Sequence, residues 1–196
     1  MPTIECDPDH AADQLRAAGV DIESGNTPHE HRRAERDGAV AVAYDDKVVI
    51  QGSDPSSLSL LLKSGGGRAH VYFDGACRGN PGPAAVGWLL VSSDGVVAEG
   101  NEQIGETTNN DAEYQALIRA LEAARDYGLA EVDIRGDSQL IVKQVRGEWD
   151  ANEPTLRERR VKVRELLRGF DRWSLEHVPR EINSRADELA NDAFNE

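Results

Sequence analysis

The sequence predicts an α/β protein: a mixed five-stranded sheet flanked by helices, preceded by a small α+β domain. Three observations predict it. Three extended apolar stretches follow one another from residue 69, and Asp94-Gly95 joins the last two as a tight hairpin. Helical and extended patterns then alternate to the end of the chain, which implies crossover helices and parallel strands. Between two differently patterned parts, Lys63-Ser64-Gly65-Gly66-Gly67-Arg68 places three glycines in a row, favouring a flexible connection. We expect a first domain over 1–62, a glycine-rich linker over 63–68 and a second domain over 69–196.

In the first domain, Asp7-Pro8 is an N-cap followed by proline at the first helical position, and Gly19 stops the helix. Residues 39–44 and 47–51 read as two strands around Asp45-Asp46, and Asp54-Pro55 opens a second helix ending near Leu62. The second domain begins with Ala69-His70-Val71-Tyr72-Phe73-Asp74, an apolar strand ending in an acid, with strands near 86–92 and 96–104 completing an antiparallel meander. A helix is predicted over 109–127, where Ala112, Ala116, Leu117, Ala120, Leu121 and Ala124 form one stripe and Gly128 ends it. A strand over 131–136, helices over 139–146 and 154–168, a strand over 173–178 and a helix over 184–194 follow, the two strands joining the sheet in parallel.

Hydrophobic residues make up 39% of the 196, enough for a packed core. No apolar run nears the roughly 18–20 residues of a membrane span, and the N-terminus lacks the basic and apolar regions of a signal peptide. Two cysteines do not make a disulfide framework, so a reducing, cytoplasmic setting is expected, for a monomer with no membrane partner. The net charge is −14, with 36 acids against 22 bases, and only Lys47, Lys63, Lys143 and Lys162 among the bases are lysines. That balance resembles proteins of salt-loving organisms, where a screening length of about 3 Å at 1 M salt mutes self-repulsion. Such acidity opposes long-range attraction to nucleic acid at low salt, so function has to be read from local groups.

Four acids stand at the ends of predicted elements: Asp74, Glu113, Asp137 and Asp187. Each alone reads as a turn residue or as a partner for a helix dipole. If Asp74 and Asp137 end adjacent parallel strands, their carboxylates lie side by side and raise each other's pKa. A hard divalent cation removes that penalty, and an all-oxygen donor set suits magnesium or manganese.

The wording around the four acids is more specific. Asp74-Gly75-Ala76-Cys77-Arg78-Gly79-Asn80-Pro81-Gly82, Thr108-Asn109-Asn110-Asp111-Ala112-Glu113, Asp137-Ser138-Gln139 and Asn183-Ser184-Arg185-Ala186-Asp187 resemble, in order, the four motifs of the type 1 ribonucleases H. The resemblance covers essentially all of 69–196 and implies the ribonuclease H-like fold. It implies hydrolysis of the RNA strand of RNA–DNA hybrids by two divalent cations, Mg2+ or Mn2+, held by Asp74, Glu113, Asp137 and Asp187. The products it implies carry 5′-phosphate and 3′-hydroxyl ends. It also implies substrate contacts at Asn80, Asn109 and Gln139 in the minor groove and at Thr108 on a phosphate. Short amides suit a ribose 2′-hydroxyl, the group that tells RNA from DNA. A related nuclease acting also on double-stranded RNA, and a non-catalytic nucleic-acid binder of the same fold, remain as alternatives.

The chain departs from many bacterial members in two ways. His177-Val178-Pro179-Arg180-Glu181-Ile182-Asn183 is short and has no histidine where their loop carries one, so it resembles the shorter archaeal-type variant, with Arg180 as the candidate assistant in product release. The basic protrusion is also absent, since Gly147–Pro154 leaves no room for it. Arg157, Arg160, Arg164 and Arg168 share a helical face that could track phosphates or simply be solvated and ion-paired. His177 is expected to alternate inward with Trp173 and Leu175, in the core or at the sheet edge. Residues 1–62 carry only a faint likeness, over Ala39–Gly52, to the substrate domain of type 3 ribonucleases H, and are expected either to bind substrate or to stabilise.

Overall fold

The computed structural model describes residues 1–63 and 67–195. Its N-terminal part contains β1 (Thr3–Glu5), α1 (Pro8–Ala17), β2 (Ile22–Ser24), β3 (Arg32–Arg36), β4 (Ala39–Ala43), β5 (Lys47–Gly52) and α2 (Ser56–Leu62). The strands form an antiparallel sheet in the order β1-β5-β4-β3-β2. Asp7 caps α1, accepting from the N–H groups of Asp9 and His10 at 3.0 Å each. Ala34, Ala41 and Ile50 lie opposite one another in register and pack with Ala11, Leu15, Leu58 and Leu62.

Both predicted helices and both predicted strands of this part are present, but β1, β2 and β3 are additional. The reason is physical. β3 reads Arg-Arg-Ala-Glu-Arg and carries only Ala34 inward, while β1 and β2 have three residues each. Backbone pairing with a ready neighbour, rather than composition, makes them strands.

The second sheet is built from β6 (Gly67–Cys77), β7 (Gly82–Ser92), β8 (Gly95–Thr107), β9 (Leu129–Gly136) and β10 (Arg172–His177), in the order β10-β9-β6-β7-β8. The β6–β7–β8 pairings are antiparallel and the β10–β9 and β9–β6 pairings parallel. This is the meander plus two parallel strands that the sequence predicts. Around it lie α3 (Asn109–Asp126), α4 (Gln139–Arg146), α5 (Pro154–Leu167) and α6 (Ser184–Asp192). β7 starts earlier than predicted. Gly82-Pro83 reads as a turn, yet the Arg78 N–H donates to the Pro83 carbonyl at 2.7 Å and extends the pairing. Of the expected linker, residues 64–66 lie outside the described residues.

The predicted stripe of α3 is fully buried on β6 and β7. On the opposite face α6 packs on the same two strands. Gly87 allows that approach, because a Cβ there would overlap the backbone of Ala186 and Ala190.

The N-terminal unit is seated where β6 begins. Leu60 of α2 joins the core of the second sheet. Ser56 Oγ donates to the Asp94 carbonyl at 3.1 Å, and Lys63 pairs with the Asp94 carboxylate. Tyr127 Oη donates to Asp37 at 3.0 Å under the Arg36 guanidinium, which lies 4.1 Å from the ring centre. Among the described residues, no helix is long and apolar enough to cross a membrane.

Candidate metal centre

Three carboxylates converge at the other end of the second sheet. Asp74 lies in β6, Glu113 just past the first turn of α3, and Asp137 just beyond β9. Each offers an oxygen, and the three oxygens lie within 4.8 Å of one another. Thr108 caps α3 by accepting from the Asp111 N–H at 3.3 Å. Gly75 lets the first turn of α3 rest on β6, since a Cβ there would overlap the backbone of Ala112 and Glu113. The Gly75 N–H faces the Glu113 carboxylate and partly offsets the rise in its pKa.

The electrostatics favour a cation. Asp74 is 5% exposed, and its pKa is pushed up to about 8, first by burial and then by the charges of Asp137 and Asp187, with Arg180 opposing. Burial and the charges of Asp74, Asp137 and Asp187 likewise hold Glu113 well above the usual carboxylate range. Glu113 Oε2 is buried with no hydrogen-bond partner among the described residues. Closely spaced buried carboxylates of this kind ionise together only when a positive charge compensates them. Oxygen donors in this number fit a hard divalent cation.

Asp187, in the first turn of α6, stands outside the group of three. It accepts from Arg180 Nη2 at 2.8 Å, while its charge reaches Asp74 and Glu113. Arg180 is itself 74% exposed. The structure thus gathers three of the four predicted acids and sets the fourth beside them, paired to the predicted arginine.

Asn80 Oδ1 accepts from the Asn109 N–H at 3.1 Å, so these two residues, both exposed, sit together at the start of α3. Gln139 is exposed at the start of α4. Of the two expectations for His177, core or sheet edge, the edge holds and the inward placement of His177 and Trp173 is corrected. β10 is an edge strand, only its Leu175 is a buried apolar residue, and Trp173 is 41% exposed. His177 Nε2 instead lies 3.1 Å from the Asp137 carbonyl.

Two of the α5 arginines are engaged with backbone. Arg157 donates to the carbonyls of Ala151 and Asn152 at 3.3 Å each, and Arg164 to that of Val145 at 3.3 and 3.2 Å. They tie down the connection between α4 and α5.

Sequence reasoning assigned no role to Asn183, which is 1% exposed. Its Nδ2 donates to the Phe73 carbonyl at 2.9 Å and to Asp137 Oδ1 at 3.1 Å. One amide therefore joins the strand beside Asp74 to the Asp137 carboxylate. A flipped amide would face two acceptors with its oxygen, so the orientation is fixed. In the sequence, an asparagine just before a helix signals only a cap, yet here its side chain makes no cap hydrogen bond.

A mixed sheet of this order, with carboxylates gathered from β6, α3 and the end of β9, defines a metal-dependent nuclease of the ribonuclease H-like fold. Residues 72–193 match the family described as "Reverse transcriptase-like". The chain is 56% identical over 198 residues to ribonuclease HI of Halobacterium salinarum, covering 100% of both. It therefore belongs to the ribonuclease HI family and is a ribonuclease H. Among solved structures it resembles RNase H1 of H. salinarum NRC-1, with a TM-score of 0.65 and 65% identity over 66% of this chain and 98% of that one. It also resembles LC11-RNase H1 solved in complex with an RNA/DNA hybrid, with a TM-score of 0.62 and 43% identity over 65% of this chain and 96% of that one.

Proposed function

We propose that the chain is an endonuclease that cuts the RNA strand of RNA–DNA hybrids and leaves 5′-phosphate and 3′-hydroxyl ends. The convergence of Asp74, Glu113 and Asp137, with no cationic side chain among the three, carries this reading. Asp187 completes the set that would hold two divalent cations, Mg2+ or Mn2+. Such a pair supplies a water activated for in-line attack and neutralises the leaving 3′-oxygen. The relative solved with an RNA/DNA hybrid supports the substrate class.

The chain's own residues divide the remaining work. Asn183 holds the Asp137 carboxylate in one orientation beside Asp74 and Glu113. Asn80 and Asn109, exposed and joined by a hydrogen bond, present amides to the minor groove, where a ribose 2′-hydroxyl can donate and accept. Thr108 lies at the end of α3, where partial positive charge favours a phosphate. Gln139 serves the groove from the start of α4. Arg180, exposed and tethered to Asp187, would draw a cleaved phosphate away from the centre.

Parallel cleavage of labelled RNA–DNA hybrid, duplex RNA and duplex DNA, with Mg2+ or Mn2+ at low and molar salt, tests the assignment. Hybrid is expected to be cut at the RNA strand alone. Equal or faster cutting of duplex DNA overturns the reading, equal cutting of duplex RNA widens the substrate class, and binding without cleavage makes the chain a non-catalytic binder.

Residues 1–62 act as a stabilising module. Leu60 is 2% exposed within the second sheet's core, and burying a leucine contributes about 1.5–3 kcal/mol. A chain of residues 63–196 is expected to melt several degrees lower than the full chain while keeping kcat within about twofold. An unchanged melting temperature, or a large loss of hybrid affinity, refutes this assignment.

A further inference from the structure

A half-buried ionic clamp, its carboxylate enclosed and its arginine partly exposed, stands behind the turn that carries Thr108 and Asn109. Asp111 is 3% exposed, and its two oxygens take donors from three elements. Arg159 Nε of α5 donates to Oδ1 at 2.7 Å, while Thr107 Oγ1 at the end of β8 and Gln115 Nε2 on α3 donate to Oδ2 at 2.8 and 2.6 Å.

The placement gives the clamp its consequence. Asp111 precedes Glu113 by two residues, so on a helix the two side chains leave nearly opposite sides. On one side, the first turn of α3 rests on β6 through the contact that Gly75 permits. On the other, Asp111 ties that turn to α5. An exposed ion pair holds a chain only weakly, whereas this carboxylate is enclosed and loses a charged donor if Arg159 goes.

We infer that the Asp111–Arg159 pair is a positioning device for substrate binding, fixing the rotation of the α3 first turn and hence the aim of Thr108 and Asn109 at the hybrid. The inference rests on the reading of those two residues as substrate contacts. Asp111 acts through them, and its effect falls on KM rather than on turnover.

Steady-state cleavage of hybrid by the full-length chain, at saturating divalent cation and molar salt, tests this together with melting curves. Arg159→Met is expected to raise KM about fivefold with kcat changed less than about twofold, and Arg159→Lys, which retains a charged donor, to restore KM to within about twofold. Arg159→Gln, expected to raise KM similarly, covers the case in which Arg159→Met does not fold. A lowered melting temperature with unmoved KM overturns the inference, as does Arg159→Lys behaving like Arg159→Met. Asn109→Ala separates the two layers of the argument. A raised KM in Asn109→Ala with silent Arg159 variants removes the clamp alone. Raised KM in the Arg159 variants with silent Asn109→Ala removes the Asn109 contact and leaves the clamp acting through Thr108.

Discussion

Asp137→Asn is expected to cut turnover on RNA–DNA hybrid by on the order of a thousandfold or more, with the fold intact. The substitution is isosteric, so packing gives it no reason to unfold the chain. In the native site Asp137 Oδ1 accepts from Asn183 Nδ2 at 3.1 Å. An asparagine keeps that bond by turning its oxygen to Asn183, which points its NH2 group toward Asp74 and Glu113. A ligand oxygen is thereby replaced by a donor, and one negative charge leaves the centre. Single-turnover cleavage beside a circular dichroism melt checks both halves. Activity within about tenfold of the parent would place the reacting centre elsewhere.

The second large effect is on stability against pH. In metal-free protein, Asp74 is pushed up to about 8 from an ordinary value of 3.8, and Glu113 moves in the same direction. Between those two values the folded chain holds a proton that the unfolded chain has released. The unfolded state then binds fewer protons, so stability falls as pH rises through the window. Below 3.8 both states are protonated, and above about 8 the full penalty is present. The melting temperature in the presence of chelator, at constant molar salt, is therefore expected to decline from pH 5 to pH 8. Mg2+ or Mn2+ should recover it most at pH 8, and Asp74→Asn should flatten the decline. A metal-free curve that is level or climbs over that range would show that the carboxylates do not crowd one another in solution.

What the sequence made legible was local. The α3 stripe, the Asp94-Gly95 hairpin and the alternation of β9 need only neighbours within a turn or two, and they fold as their spacing predicts. Asp74, Glu113 and Asp137 were legible because each lies near the end or start of such an element and carries distinctive motif wording, although β6 runs on past Asp74 to Cys77 because its pairing with β7 continues there, where the sequence predicted the strand to end at Asp74. What escaped depends on partners far along the chain. β3 is a strand because β4 pairs with it, and its own residues carry almost no alternation. Asn183 reaches Phe73 and Asp137, more than a hundred and more than forty residues away respectively, and nothing near Asn183 announces either partner. The arginine face of α5 was visible, but Arg157 and Arg164 bond to carbonyls of the preceding segment, which helical periodicity does not reveal. Asp187 was placed with the other acids by its motif, while its pairing with Arg180 follows from the tight 3-10 turn at Arg180–Asn183.

β6 serves two masters. Its first residue, Gly67, lies against Leu60 of the N-terminal unit, and Asp74 comes seven residues later, about 23 Å away by the usual rise of a strand. The three carboxylates and the seam between the two sheets thus lie apart along one strand. On the stabilising role proposed for residues 1–62, substitutions at that seam change how long the molecule survives heat or dilution without changing the shape that the scissile bond encounters. On that reading durability and chemistry fall toward opposite ends of one strand, and each is open to adjustment on its own.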